Sequence, residues 1–348
     1  MAGTPLVRGF DSGAGPPGRG SGCHGAVPTM PQSNKGAERQ MDQTRWGRPI
    51  GITLIAALAL YAIAIAQTDP HALLAGISRI GAGGALLGGL TCLLAIGLRF
   101  MRWQLLLRIL GPRPAWLASL RIYWAGLALT WTPGKLGETL RSALLRPHGV
   151  AVPDSLAAFL TDRLSDVIGV ALLGLVAAGL AGRETDLFVA IVLLALAISL
   201  AAAHAIRRGW LLSAPWRLAA PLRRWALIWG PGQVLLWVAL AALAYGLQAL
   251  VFAAFTRTLA PDIGWAACVA IFAAAIFVGA ASMAPAGLGP MEATLAFALT
   301  SLGMDWSDAV AATLLARLCS LWIPAGLGVA VLLGLMRPIP QPPPTAQA

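Results

Sequence analysis

The sequence predicts an all-α fold, a polytopic helical membrane bundle of about seven to eight spans, with two broken or re-entrant Pro-Gly segments in two related halves. Three observations predict it. Of the 348 residues, 58% are hydrophobic and 11% charged, against about a quarter charged in soluble proteins. The apolar residues fall in continuous runs of 17 residues or more. Such runs cross a bilayer as helices and lack the alternation of a membrane β-barrel. Finally, Thr132–Glu138 (Thr-Pro-Gly-Lys-Leu-Gly-Glu) and Ala284–Glu292 (Ala-Pro-Ala-Gly-Leu-Gly-Pro-Met-Glu) both read Pro-x-x-Leu-Gly with a glutamate close behind. An arginine in an apolar segment follows each glutamate at the same interval of 25 residues, Arg163 after Glu138 and Arg317 after Glu292.

Residues 1–48, rich in Gly, Pro, Ser and basic residues, are expected to be a disordered N-terminal segment. The first apolar run begins too late for a secretory signal and lacks a small-residue cleavage site. Met30 and Met41 are alternative starts, and the first 40 residues read as an extension. The transmembrane domain covers 49–337, its related halves about 80–182 and 225–335, and a Pro-rich tail occupies 338–348.

Ile50–Ala66 is the first span, with Arg45 and Arg48 holding its start in the cytoplasm. Ile80–Leu98 is the second, Gly-rich and suited to close packing. It runs into Arg99, Arg102, Trp103 and Arg108, read as positive-inside flank residues. Ile168–Leu180 with flanks and Leu187–Ile206 form the next spans, the latter landing on Arg207, Arg208, Arg217, Arg223 and Arg224. If that cluster is cytoplasmic, Arg163 also starts inside, and 115–163 begins and ends on one side. Trp116–Trp131 then dips in, breaks at Thr132-Pro133-Gly134, and returns through Glu138–Leu145 as a re-entrant element. Non-helical backbone at membrane depth needs protein or a water-filled cavity around it. Trp225–Phe255 is a tilted span with Pro231-Gly232 near its start, and Trp265–Met283 runs to the second break. Met291–Leu302 is too short to cross. Ser307–Leu335 is the last span, with Asp308 as N-cap and a kink at Pro324. Parity puts this last span parallel to the one at Arg163, whereas Arg337 after it favours the opposite, so parallel and inverted arrangements of the halves both stand.

The buried charges are the candidate site. Asp162 and Asp166 share a helix face, with Arg163 within reach of Asp166. Glu138 and Arg141 share a face if the chain beyond Gly137 is helical, and Glu292 and Arg317 are candidates for each other. The bland reading is a set of ion pairs fixing helix register. The functional one is a polar cleft that receives an anionic headgroup, with Lys135, Arg141 and Arg163 on phosphate. Backbone freed at Pro133, Gly134 and Gly137, and at Pro285, Gly287 and Gly289, adds donors and acceptors. The net charge of +11 reads as loop charge facing an anionic leaflet rather than nucleic acid. Cys23, Cys92, Cys268 and Cys319 have no CxxC spacing, and the four histidines form no His-x-x-x-His pair, so no metal or other cofactor is expected. No Gly-x-x-x-x-Gly-Lys-[Ser/Thr] loop occurs.

The order Arg-x-x-Arg-Trp, then Pro-Gly-Lys-Leu-Gly-Glu-x-x-Arg, then Asp-Arg-x-x-Asp, then Pro-x-Gly-Leu-Gly-x-x-Glu resembles the transmembrane region of lysylphosphatidylglycerol synthases and their stand-alone, flippase-like relatives. The similarity runs from about Thr44 to Arg337. It implies a lipid or lipid-linked substrate moved between leaflets of a bacterial-type cytoplasmic (inner) membrane, with the N-terminus cytoplasmic. Lys135, Glu138, Arg141, Asp162, Arg163, Asp166, Glu292 and Arg317 match the family pattern. The chain ends 11 residues after Arg337, so the soluble synthase domain and its aminoacyl transfer are expected to be absent. The function expected is leaflet-to-leaflet transport of a phospholipid, with membrane lipids as partners. The alternatives are a membrane-embedded transferase on a polyprenyl-linked sugar, or an accessory subunit beside an envelope-biosynthesis enzyme.

Overall fold

Asp69 and Pro70 start the first long helix. The Asp69 carboxylate accepts a hydrogen bond from the His71 N–H at 2.9 Å, and Pro70 lacks the N–H that would go unpaired in a first turn. The computed structural model describes residues 62, 66, 68–111, 114–128, 136–209 and 216–336, without the side chains of 136–140, 216–218, 285 and 336. All but two positions of the predicted span Ile50–Ala66 lie outside the described residues, as do Pro133, Gly134 and Lys135.

Every helix and turn among the described residues belongs to the unit Gly47–Ala348. The order is α1 (Pro70–Leu110), α2 (Trp116–Leu127), α3 (Leu136–Leu145), α4 (Val152–Leu180), α5 (Asp186–Arg207), α6 (Trp216–Ile228), α7 (Pro231–Leu259), α8 (Trp265–Ala281), α9 (Pro290–Thr300), α10 (Trp306–Arg317) and α11 (Ile323–Met336). A π-helical turn, Leu318–Trp322, joins the last two. Five stretches are long and apolar enough to cross a membrane, namely α1, α4, α5, α7 and Trp306–Leu335. They fall on five of the six predicted spans that the described residues cover; the sixth, Trp265–Met283, is the 17-residue α8, apolar but shorter. Helices α2, α3 and α9 have 12, 10 and 11 residues. At 1.5 Å per residue they reach roughly 15–18 Å, about half the hydrocarbon thickness.

The structure corrects two local readings. Trp225 belongs to the separate helix α6, and the span after it begins at Pro231. Asp305, not Asp308, occupies the N-cap of α10, without a side-chain cap bond; Asp308 instead pairs with Arg79 of α1. The expected kink at Pro324 falls just after the π-turn Leu318–Trp322, and both features are established causes of helix bending.

Contacts across the two predicted halves recur in matching pairs. Helix α1 packs on α10 and α7 packs on α4; α2 packs on α11 and α8 on α4. Within the halves, α2–α3 answers to α8–α9, α3–α4 to α9–α10, and α1–α4 to α7–α10, while α1 and α7 pack on each other. The connections match as well. Residues 111–115 and 260–264 precede α2 and α8, and the breaks 128–135 and 282–289 are of equal length. The structure thereby exposes a further sequence echo. Arg108–Trp116 and Arg257–Trp265 both read Arg-x-Leu-x-Pro-x-x-x-Trp, at the end of α1 and of α7. Among the described helices, α5 and α6 have no counterpart.

Glycines set two of the close crossings. A Cβ on Gly169 of α4 would lie 2.8 Å from the Ala241 Cβ of α7, and one on Gly328 of α11 would lie 2.7 Å from the Trp124 carbonyl oxygen of α2. Small residues at such points let helix backbones approach where hydrophobic burial cannot drive association.

Candidate functional site

Helix α4 begins with Pro153 in its first turn. Near its middle it carries Asp162 and Asp166, one turn apart and both buried. Arg102 of α1, fully buried, bridges them. Its Nε donates to Asp162 Oδ1 at 2.7 Å and its Nη2 to Asp166 Oδ1 at 2.6 Å. Its Nη1 lies 3.5 Å from the Trp237 carbonyl of α7, so one side chain ties three helices.

A second shell of cations completes the cluster. Arg99 Nη2 donates to Asp166 Oδ2 at 3.0 Å, and its guanidinium lies over the Tyr245 ring at 5.0 Å. The Tyr245 hydroxyl is 3.3 Å from the same carboxylate oxygen. Arg163 stands 3.3 Å from Asp166 and 3.5 Å from Asp162. Arg141 of α3 is buried between aromatic rings, 4.9 Å from the Trp103 centroid and 4.4 Å from that of Tyr123. It fits there because Gly126 of α2 has no Cβ; one would come within 3.0 Å of its Nε. Tyr123 sits within electrostatic reach of Arg99, Asp162, Arg141 and Arg102, which joins Arg141 to the cluster. Three arginines, Arg99, Arg102 and Arg163, therefore contact two aspartates. The Nε atoms of Arg99 and Arg163 are buried without a hydrogen-bond partner among the described residues. Those side chains keep 19% and 29% exposure, whereas Arg102 has none.

The second break holds an ion pair of its own. Between α8 and α9 the chain passes through a 3₁₀ turn, Pro285–Gly287, with Met283 and Ala286 at φ 55°, Gly287 at 67° and Gly289 at 90°. Left-handed backbone at two non-glycine residues is costly and persists only where the surroundings impose it. Two buried side chains do so. Glu292 accepts from the Gly289 N–H at 2.6 Å, the glutamate half of a capping box, since glycine has no side chain to return the bond. Arg317 donates through Nε to the other Glu292 oxygen at 2.5 Å and through Nη2 to the Ala286 carbonyl at 3.0 Å.

Of the sequence-predicted residues, Asp162, Arg163 and Asp166 come together, Glu292 meets Arg317, and Arg141 joins the first cluster by way of Tyr123. Gly137 and Glu138 lie in the first turn of α3, with the Glu138 side chain outside the described residues. The structure corrects the reading of Arg99 and Arg102 as flank residues. Helix α1 does not end at Leu98; it breaks at Gly81 (φ 71°) and continues to Leu110. At 1.5 Å per residue, Arg99 and Arg102 lie roughly 16 and 12 Å inside that end. Their spacing of three, matching the Asp162–Asp166 face, was the signal available. Arg108, by contrast, is exposed, as a flank residue should be. Tyr123 and Tyr245 carried no sequence signal of their own.

Long apolar helices around a buried, cation-rich ion cluster and a stitched helix break define an integral, polytopic helical membrane protein. The chain belongs to the lysylphosphatidylglycerol synthase transmembrane-region family, whose model matches residues 50–328. Comparison with curated proteins gives no match.

Proposed function

We propose that the protein moves a lipid with an anionic headgroup, a phospholipid or a lipid-linked substrate, between the leaflets of the cytoplasmic membrane. The observation that carries this reading is the excess of buried cation. Three arginines, Arg99, Arg102 and Arg163, on two aspartates is an expensive arrangement inside a bundle unless a negative group visits it. Arg99 and Arg163, partly exposed and each with an unpartnered Nε–H, are the two positioned to meet a phosphate, for which the guanidinium fork is suited. Both aspartates are occupied by Arg102, which weighs against the alternative of carboxylates free for transferase chemistry.

The reciprocal packing supports a mechanism. The pair α2–α3 starts and returns on one side, so α4 begins where α1 ends. Helix α5 crosses once and the 13-residue α6 is too short to cross, so α7 runs opposite to α1. The halves are then inverted, related by an axis in the membrane plane, and their interface is where transporters of such construction bind substrate. Rocking one half against the other opens the cluster to each leaflet in turn.

The test is leaflet exchange of labelled lipids in vesicles holding the full chain, beside Arg99→Gln and Arg163→Gln checked for folding. Exchange of an anionic lipid, lost in both variants and absent for a zwitterionic one, is expected. Undiminished exchange in the variants, or none with any lipid including a polyprenyl phosphate, overturns the proposal.

A further inference from the structure

Helices α5 and α6, outside the repeat, enclose a groove of about 400 Å³ lined by Arg207, Arg223, Leu222 and Leu227, with Ile206 and Ala226 behind them. We propose that this groove binds one anionic phospholipid of the cytoplasmic leaflet, its phosphate between Arg207 and Arg223 and an acyl chain along Leu222 and Leu227.

The two arginines are held in different ways. Arg207 Nη1 donates to the carbonyls of Ala226 at 2.8 Å and Trp229 at 3.3 Å, so its guanidinium is anchored across the end of α6. Arg223 is exposed and makes no ion pair among the described residues, whereas its neighbour Arg224 pairs with Asp154 of α4 at 2.9 Å. Arg208, also exposed, adds a third cation at the same turn. The groove therefore has surplus positive charge at its rim and apolar walls below.

The character of α6 fits an interfacial position. Its stacked Trp225 and Trp229 neighbourhood is buried against the protein, their centroids 5.8 Å apart, while Leu227 keeps 62% exposure. A basic helix with one apolar face lies at the headgroup level, where each arginine gains from anionic lipid. A water-soluble anion would satisfy the arginines but leave Leu227 uncovered. A diacyl phospholipid covers both, which is why the occupant is taken to be a lipid. Because α6 packs on α4, the helix that carries Asp162 and Asp166, this lipid braces the wall of the ion cluster without entering it.

Native mass spectrometry and thermal unfolding of the purified full chain, with added phosphatidylglycerol or phosphatidylcholine, test the site. One phosphatidylglycerol should be retained per chain. Retention should weaken roughly fivefold in Arg223→Gln, the share of one surface arginine, and fall again with Leu227→Ser. Arg183→Gln, an exposed arginine at the other end of α5, should leave it unchanged, which separates a built site from general surface charge. Equal retention in Arg223→Gln, an equal loss in Arg183→Gln, equal retention of phosphatidylcholine, or full displacement by glycerol phosphate alone would each overturn the assignment.

Discussion

Replacing Arg102 by methionine removes the cation between two carboxylates. Arg102 has no exposed side-chain surface and Asp162 has 1%, so water cannot replace the lost bonds without entering the bundle. Asp166 keeps Arg99 and Arg163, but Asp162 is left with only the 3.5 Å contact to Arg163. Orphaning one partner of a buried pair costs roughly 3–5 kcal/mol. The comparison is Arg163→Met. Arg163 is 29% exposed, with contacts of 3.3 and 3.5 Å, so its loss should cost about 1 kcal/mol or less. Unfolding in bicelles, measured by steric trapping or denaturing-detergent titration, gives both values. A further variant, Arg102→Met with Asp162→Leu, should be less destabilised than the two single changes summed, by roughly 0.5–3 kcal/mol. Equal costs for Arg102→Met and Arg163→Met, or strict additivity in the double variant, would refute the argument, because they would mean that the cluster is solvated as freely as a surface pair.

The second break offers a parallel case. Arg317→Met removes both the Glu292 partner and the Ala286 carbonyl bond and should expose residues 282–289 to faster proteolysis than in the parent; an unchanged rate would deny Arg317 its hold on the loop. Gly328→Ala drives a Cβ to within 2.7–2.8 Å of the α2 backbone and should cost roughly 1–3 kcal/mol, while Gly334→Ala, with nothing within 4 Å, should be neutral or slightly stabilising. Cysteines placed at the exposed Ala115 and Asp262, in a background lacking Cys23, should be labelled from opposite membrane faces by an impermeant thiol reagent. The buried Cys92, Cys268 and Cys319 keep the background low. Labelling from one face would mean parallel halves.

What the sequence revealed follows the strength of each signal. Apolar runs located α4, α5, α7 and α8 because bilayer thickness dictates a run length. The interval of 25 residues located Glu292 and Arg317 because a helix break stitched by an ion pair needs both partners at set places. Arg99 and Arg102 were misread because charge at the end of an apolar run normally marks the membrane boundary. Whether a helix continues through such charges depends on partners elsewhere, here Asp162, Asp166 and Tyr245, which lie far along the chain. The Arg108–Trp116 echo in Arg257–Trp265 is a weak signal by itself because it falls at span ends, where arginine, proline and tryptophan are common for local reasons. The orientation of the halves was undecided because a count of spans cannot tell a short helix that returns from one that crosses. On the proposed inverted reading, α2 with α3 and α8 with α9 are the pairs that return.

Helix α5 is the least enclosed of the long helices, with 17% of its apolar window buried inside the protein. A span that contributes so little to the core has another value on the inverted reading. Each half by itself leaves and returns to its starting face, so two copies joined head to tail would point the same way. One additional crossing reverses the second copy. The sparsely packed α5 is thus a parity element: its sequence can drift widely as long as it still crosses, and a deletion that shortened it below membrane thickness would separate α1 from α7, and α2 from α11, without altering a residue in either pair.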